Sequence, residues 1–106
     1  RTVPNKPFEI PFLVNVIGEE VYFKVNELPI NMRGNTEILS YNVVVFYDYS
    51  NQVSLVGGLN QSPFTDLDEY IIFSNCQPGK TIQIVYRARN NIGYGDFSDP
   101  LDHTCS

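Results

Sequence analysis

The apolar positions of this chain recur at every second residue. Val21, Phe23 and Val25 alternate with Glu20, Tyr22, Lys24 and Asn26, the spacing of a strand with one buried face. Tyr41, Val43, Val45 and Tyr47 alternate with Asn42, Val44, Phe46 and Asp48 in the same way. Ile82, Ile84, Tyr86 and Ala88 alternate with Gln83, Val85, Arg87 and Arg89, and Ile71 and Phe73 make a shorter run. No stretch repeats apolar residues at helical spacing over three turns, so helix is not expected.

Turn chemistry separates these runs at Gly18-Glu19, 29–35, Gly57-Gly58, 61–63, Pro78-Gly79 and 90–95. The pattern predicts strands near 8–16, 20–27, 38–48, 52–57, 69–74, 81–90 and 96–101. Short strands at roughly ten-residue spacing are the mark of an all-β, seven-stranded sandwich. The 106 residues suffice for one core and not for two, so a single domain over 1–106 is expected. Pro4 and Pro7 stiffen the start and polar residues dominate the end, which predicts linker ends at 1–6 and 102–106.

Composition narrows the function classes. Hydrophobic residues at 42% against 18% charged argue for a packed interior over disorder. A net charge of −5 repels nucleic acid, and Arg87 with Arg89 is too sparse for a phosphate-binding stripe. The longest apolar run, 43–47, falls far short of the ~20 residues that span a bilayer. A start at Arg1 without a signal-peptide pattern reads as a mature or excised fragment.

Residues 76–100 read CQPGKTIQIVYRARNNIGYGDFSDP. This resembles the second half of a fibronectin type III domain, with Pro78-Gly79 at the turn between the family's strands E and F. Ile82, Ile84, Tyr86, Ala88 and Asn90 then match the inward positions of strand F. Gly93-Tyr94-Gly95 matches the F–G loop, and Phe97-Ser98 opens strand G. Upstream, Ile38 and Tyr41 resemble the start of strand C, and Pro4 and Pro7 the leading segment. Two positions depart from the family. There is no tryptophan, and Val25 stands near the usual strand-B position. Ile82 stands at the tyrosine corner, where the missing hydroxyl costs about 1 kcal/mol. The resemblance implies a fibronectin type III / immunoglobulin-like β-sandwich.

In that fold Cys76, at the E–F turn, and Cys105, beyond strand G, fall at the same pole. A disulfide between them would close a loop worth about 3–4 kcal/mol in the chain-entropy account. The alternative is a buried free Cys76 in place of the family's leucine, with an unrelated thiol in the tail. Paired cysteines without metal-binding spacing point to an oxidising compartment, hence an extracellular or cell-surface location. Asn60-Gln61-Ser62 is an N-glycosylation sequon in an expected loop, although the following Pro63 disfavours its use.

Candidate chemistry is sparse. The one histidine, His103, lies in the tail, where a solvated side chain is the ordinary reading. No nucleophile elbow, P-loop or C-x-x-C motif is present, so no enzyme and no cofactor is expected. Asp66, Asp68 and Glu69, and separately Asp96, Asp99 and Asp102, are acidic clusters better read as solvated surface than as calcium ligands. Val44, Phe46 and Val85 fall on the outer face of the sheet, beside Arg87 and Arg89. They form either a cation-rimmed protein-contact patch or a surface covered by a neighbouring strand or the arginine stems. Loops 29–37 and 90–94 offer a second surface, but Arg33-Gly34-Asn35 is no more than a near miss of an integrin motif.

The function implied is a non-catalytic structural or adhesive module of a multi-domain extracellular protein. It would act through protein partners or neighbouring domains, with end-to-end assembly into a filament or stalk. A receptor-type ligand-binding module, or an accessory domain of a secreted hydrolase, are the alternatives.

Overall fold

Strand formation follows the period-two pattern closely in the middle of the chain and loosely at its ends. The computed structural model describes residues 1–106. Its strands are β1 (Phe12–Ile17), β2 (Glu20–Lys24), β3 (Ser40–Tyr47), β4 (Asn51–Val56), β5 (Ile71–Phe73), β6 (Thr81–Arg89) and β7 (Leu101–Thr104). The only helix is a 3-10 turn at Ile30–Met32. Two sheets face each other, one ordered β1-β2-β5 and the other β4-β3-β6-β7, with every pairing antiparallel.

The β3–β6 register explains the core. Tyr41 lies opposite Ala88, Val43 opposite Tyr86, Val45 opposite Ile84 and Tyr47 opposite Ile82, so both strands aim their apolar rows inward. All of these except Tyr47, which packs against the margin, meet Val21, Phe23 and Ile71 of the other sheet in one cluster of 16 buried residues. Each such side chain contributes roughly 1.5–3 kcal/mol on burial.

Val25, just after β2, is buried. Two tyrosines of the opposite sheet secure the segment that follows it. Tyr86 Oη donates to the carbonyl of Asn26 at 3.0 Å, and Tyr41 Oη accepts from the Leu28 amide at 2.9 Å. Their rings lie 6.3 Å apart. Burial, with the charge of Glu9 adding to it, pushes the Tyr86 phenol up to about 12. Burial also raises Tyr41, offset in part by its bond from Leu28.

The ends depart from the expected bounds. Residues 8–10 stay outside β1, because Pro11 offers no N–H to a ladder at the strand's head. The last strand begins at Leu101 rather than near 96. Residues 95–98 follow β6 through bonds from Gly95 to Ala88 and from Ser98 to Tyr86, but the Tyr86 amide donates to Ser98 Oγ rather than to a main-chain carbonyl. Pro100 cannot donate, so regular pairing starts only with Leu101 opposite Ile84. Residues 102–106, expected as linker, therefore include most of β7 and a buried Cys105. Residues 1–6 are likewise tied down, by bonds from Thr2 N to Gly34 O (3.1 Å) and from Asn5 N to Met32 O (2.9 Å).

Candidate functional site

At the C-terminal pole Cys76 and Cys105 form a disulfide, with Cα atoms 5.3 Å apart. Backbone bonds surround it. Gly79 N donates to Cys105 O (2.9 Å), Cys105 N to Lys80 O (2.7 Å) and Cys76 N to Glu19 O (2.9 Å). The β1–β2 turn, the 77–80 turn and the end of β7 are thereby held as one unit. Ile82 is fully buried and has no hydroxyl to offer, but Tyr47 supplies one from β3 by accepting the Gln77 amide at 3.4 Å.

The N-terminal pole is organised by Asn90, a buried polar residue at the end of β6. Its Nδ2 donates to Thr2 O (2.8 Å) and Arg33 O (3.0 Å), while its Oδ1 accepts from the amides of Ile92 (2.9 Å) and Gly93 (3.2 Å). One side chain therefore joins the leading segment and both loops. Gly34, at φ 72°, and Gly95 leave the room this needs, since a Cβ on either would collide with the carbonyl of Thr2 or Pro4.

The outer face of the four-stranded sheet carries the residues that the sequence offers either as a contact patch or as a covered surface. Val44 and Val85 lie outside the core cluster, directly opposite one another, yet both are buried. Phe46, Arg87 and Arg89 are half-buried. Arg87 Nε donates to Asn42 Oδ1 at 3.0 Å, and its guanidinium lies 4.0 Å from the Tyr94 ring centre and 4.3 Å from that of Phe97. Burial lowers the Arg87 pKa. What solvent meets here is the Tyr94–Arg87–Phe97 stack, with Arg89 5.8 Å from the Tyr94 ring. The chain's three ion pairs, Lys6–Asp99, Arg33–Glu27 and Lys80–Asp48, leave both of these arginines without a carboxylate.

The remaining candidates are dispersed. Asn60 is exposed in a turn closed by the bond from Gln61 N to Gly58 O, and the Gln61 side chain is fixed by Ser54 and the Gly58 amide. Asp99 pairs with Lys6, Asp102 accepts from Gln83 at 3.0 Å, and Asp66 accepts the Asp68 amide. No group of three or more His, Cys, Asp or Glu side chains converges closely enough to hold a metal ion. A groove of about 420 Å³ runs beside Glu27, Glu37, Asp66 and Asp68, with Arg33 committed to Glu27. His103 pairs opposite Ile82, and its Nε2 is buried without a hydrogen-bond partner. Loops 29–37 and 90–94 meet through Asn90 instead of opening a cleft.

No protein-family model and no curated protein sequence matches the chain. Solved structures do. A structure of titin kinase and its flanking domains matches over 100% of this chain and 18% of its own, with a TM-score of 0.75 and 16% identity. A twitchin kinase region from C. elegans matches over 93% of this chain and 16% of its own, with a TM-score of 0.70 and 17% identity. Domains A168-A170 from titin match over 96% and 32%, with a TM-score of 0.70 and 18% identity. The fold is an immunoglobulin/fibronectin type III-like β-sandwich. Identities this low carry the fold alone, and the chain spans less than a third of each of these proteins.

Sequence reasoning missed the Arg87 stack and the Tyr47 bond. The Arg87 stack depends on how the 90–95 turn folds back over the sheet, which no local spacing encodes. No local signal ties Tyr47 to Gln77, 30 positions away.

Proposed function

We propose that this chain is a non-catalytic structural or adhesive module, of fibronectin type III type, within a longer extracellular or cell-surface protein. The observation that carries the reading is the opposite placement of its two secured ends. Thr2 and Asn5 are bonded into the 32–34 loop beside Asn90, whereas Cys105 is bonded to Cys76 and Lys80 at the far pole. With the longest extent at 44 Å, such a unit passes the chain from pole to pole and can be joined end to end. The disulfide supports an oxidising compartment, and a sugar on exposed Asn60 would fit the same setting. Protein contact through the outer face would use Phe46, Arg87, Arg89 and the flanking rings, with Val44 and Val85 buried beneath as support.

The test is small-angle scattering of two copies joined directly, Ser106 to Arg1. An extended particle about 90 Å long, near twice the single extent of 44 Å, is expected. A particle that folds back to little more than one module's length rejects the reading.

A further inference from the structure

Two arginines on the outer face of β6 are held in place without a carboxylate. A relay from the sheet edge fixes Arg87. The buried Asn42 donates through Nδ2 to Ser54 Oγ and Val56 O, both at 2.9 Å, which turns its Oδ1 toward Arg87 Nε at 3.0 Å. Tyr94 and Phe97 flank the guanidinium, so its Nε and its planar faces are occupied while its outer N–H groups stay free to donate. Arg89, two positions along the same face, has the Tyr94 ring at 5.8 Å and enters none of the three ion pairs. A hollow of about 180 Å³ opens beside it, lined also by Gly57, Gly58, Gln61 and Tyr94, and Arg89 is the one charged residue around it. Gln61 is already bonded to Ser54 and the Gly58 amide. With 12 acidic residues against 7 basic, the chain has carboxylates to spare, yet none reaches either arginine. Asp102 shares the outer face but is bonded to Gln83, further along β6.

We propose that the Arg87–Arg89 face is a docking site for an acidic segment of a protein partner, whose Asp or Glu carboxylates the two guanidiniums receive. This rests on the reading of the outer face as a contact surface and names the chemistry of the partner. The fork of a guanidinium matches a carboxylate in plane and spacing, and one already held by rings loses little freedom on binding. Residues at i and i+2 of a strand stand roughly 7 Å apart, the same interval as alternate side chains of an extended acidic peptide laid along β6. Burial works against the charge of Arg87, and an incoming carboxylate would offset that cost. In a chain of net charge −5 these cations are a local exception, which orients an acidic partner toward this face.

NMR titration of the isotope-labelled, oxidised protein with the peptide hexaglutamate tests it. The Nε–H signals of Arg87 and Arg89 and the amides of 57–59 and 94–97 are expected to shift together. Arg89→Gln should weaken the affinity about fivefold, the worth of one solvent-reachable charge pair. Lys24→Gln is the control and should leave the affinity unchanged, since Lys24 lies over the Tyr70 ring at 4.8 Å on the other sheet, likewise without a carboxylate. Amide signals remote from both substitutions check that the variants keep the native fold. No shift at all overturns the proposal, and so does equal weakening by the two substitutions. Equal shifts with hexaglutamine overturn the acidic chemistry while leaving a contact face, and equal shifts with sodium sulfate at matched charge would assign the arginines to small anions instead. Each of these failures is separate from the scattering result, which reads only how the two ends are joined.

Discussion

The side-chain amide of Asn90 reaches the carbonyl of Thr2 at 2.8 Å, across 88 positions of chain. This bond holds the leading segment against the sandwich, and the same side chain also holds Arg33 O and the 90–93 turn. Asn90→Ala leaves several part-buried polar groups unpaired, at a cost of about 2 kcal/mol. Amide exchange is expected to accelerate at residues 2–5 and 32–34, while residues 101–105 keep their protection. Equal loosening of both poles would contradict this assignment.

The disulfide makes the second prediction. Replacing Cys76 and Cys105 by serine releases a loop for which chain entropy gives about 3–4 kcal/mol. Urea unfolding is expected to show a loss of that size. The backbone bonds of Gly79 and Cys105 should keep β7 paired in the folded variant, which hydrogen exchange at 101–105 would report. A negligible change in unfolding midpoint would mean that the staple does not constrain the unfolded chain.

How much of this was legible from sequence follows from the range over which each feature acts. The central strands are local, and alternation alone placed β3 and β6 within two residues of their observed ends. The cysteine pairing was readable because the resemblance supplied a topology that brought positions 76 and 105 to one pole. The 95–100 segment failed because its pairing is decided by two side-chain features, Ser98 Oγ accepting from Tyr86 and the missing N–H of Pro100. On the outer face, alternation assigned Val44 and Val85 correctly to one side but could not show that they are buried there. The exposure of β1 was equally hidden, because its composition is that of an ordinary buried strand.

Arg87 shields the outer face by stacking between two rings. Arg87→Ala removes two cation–π contacts, each worth about 0.5–1 kcal/mol, so a total loss of about 1–2 kcal/mol is expected. Arg87→Lys should recover only part of it, because an ammonium cannot lie flat between Tyr94 and Phe97. Thermal unfolding of the pair of variants measures both effects. Full recovery by lysine would show that charge alone matters there.

Alkaline titration tests the buried phenols. Tyr86 holds its proton up to about 12 in the folded chain, above the ordinary tyrosine value of 10.0. The unfolded chain releases that proton first, so its contribution to stability is complete below pH 10 and is lost as pH rises toward 12. Tyr41, also raised, acts in the same direction. Urea midpoints taken from pH 9 to 12 are expected to fall, and less steeply in Tyr86→Phe, which has no proton to release there. A midpoint independent of pH across that window would contradict the burial of both hydroxyls.

The chain is secured at opposite poles, and the disulfide locks its final segment. Single-molecule pulling between Arg1 and Ser106, in oxidising and then reducing buffer, addresses this directly. The two cysteines are separated by 29 positions, which at about 3.4 Å per extended residue amount to roughly 90–100 Å of chain. One cooperative unfolding step is expected in both conditions, longer by that amount after reduction. Equal steps in the two buffers, or gradual unravelling without a cooperative event, would contradict the account.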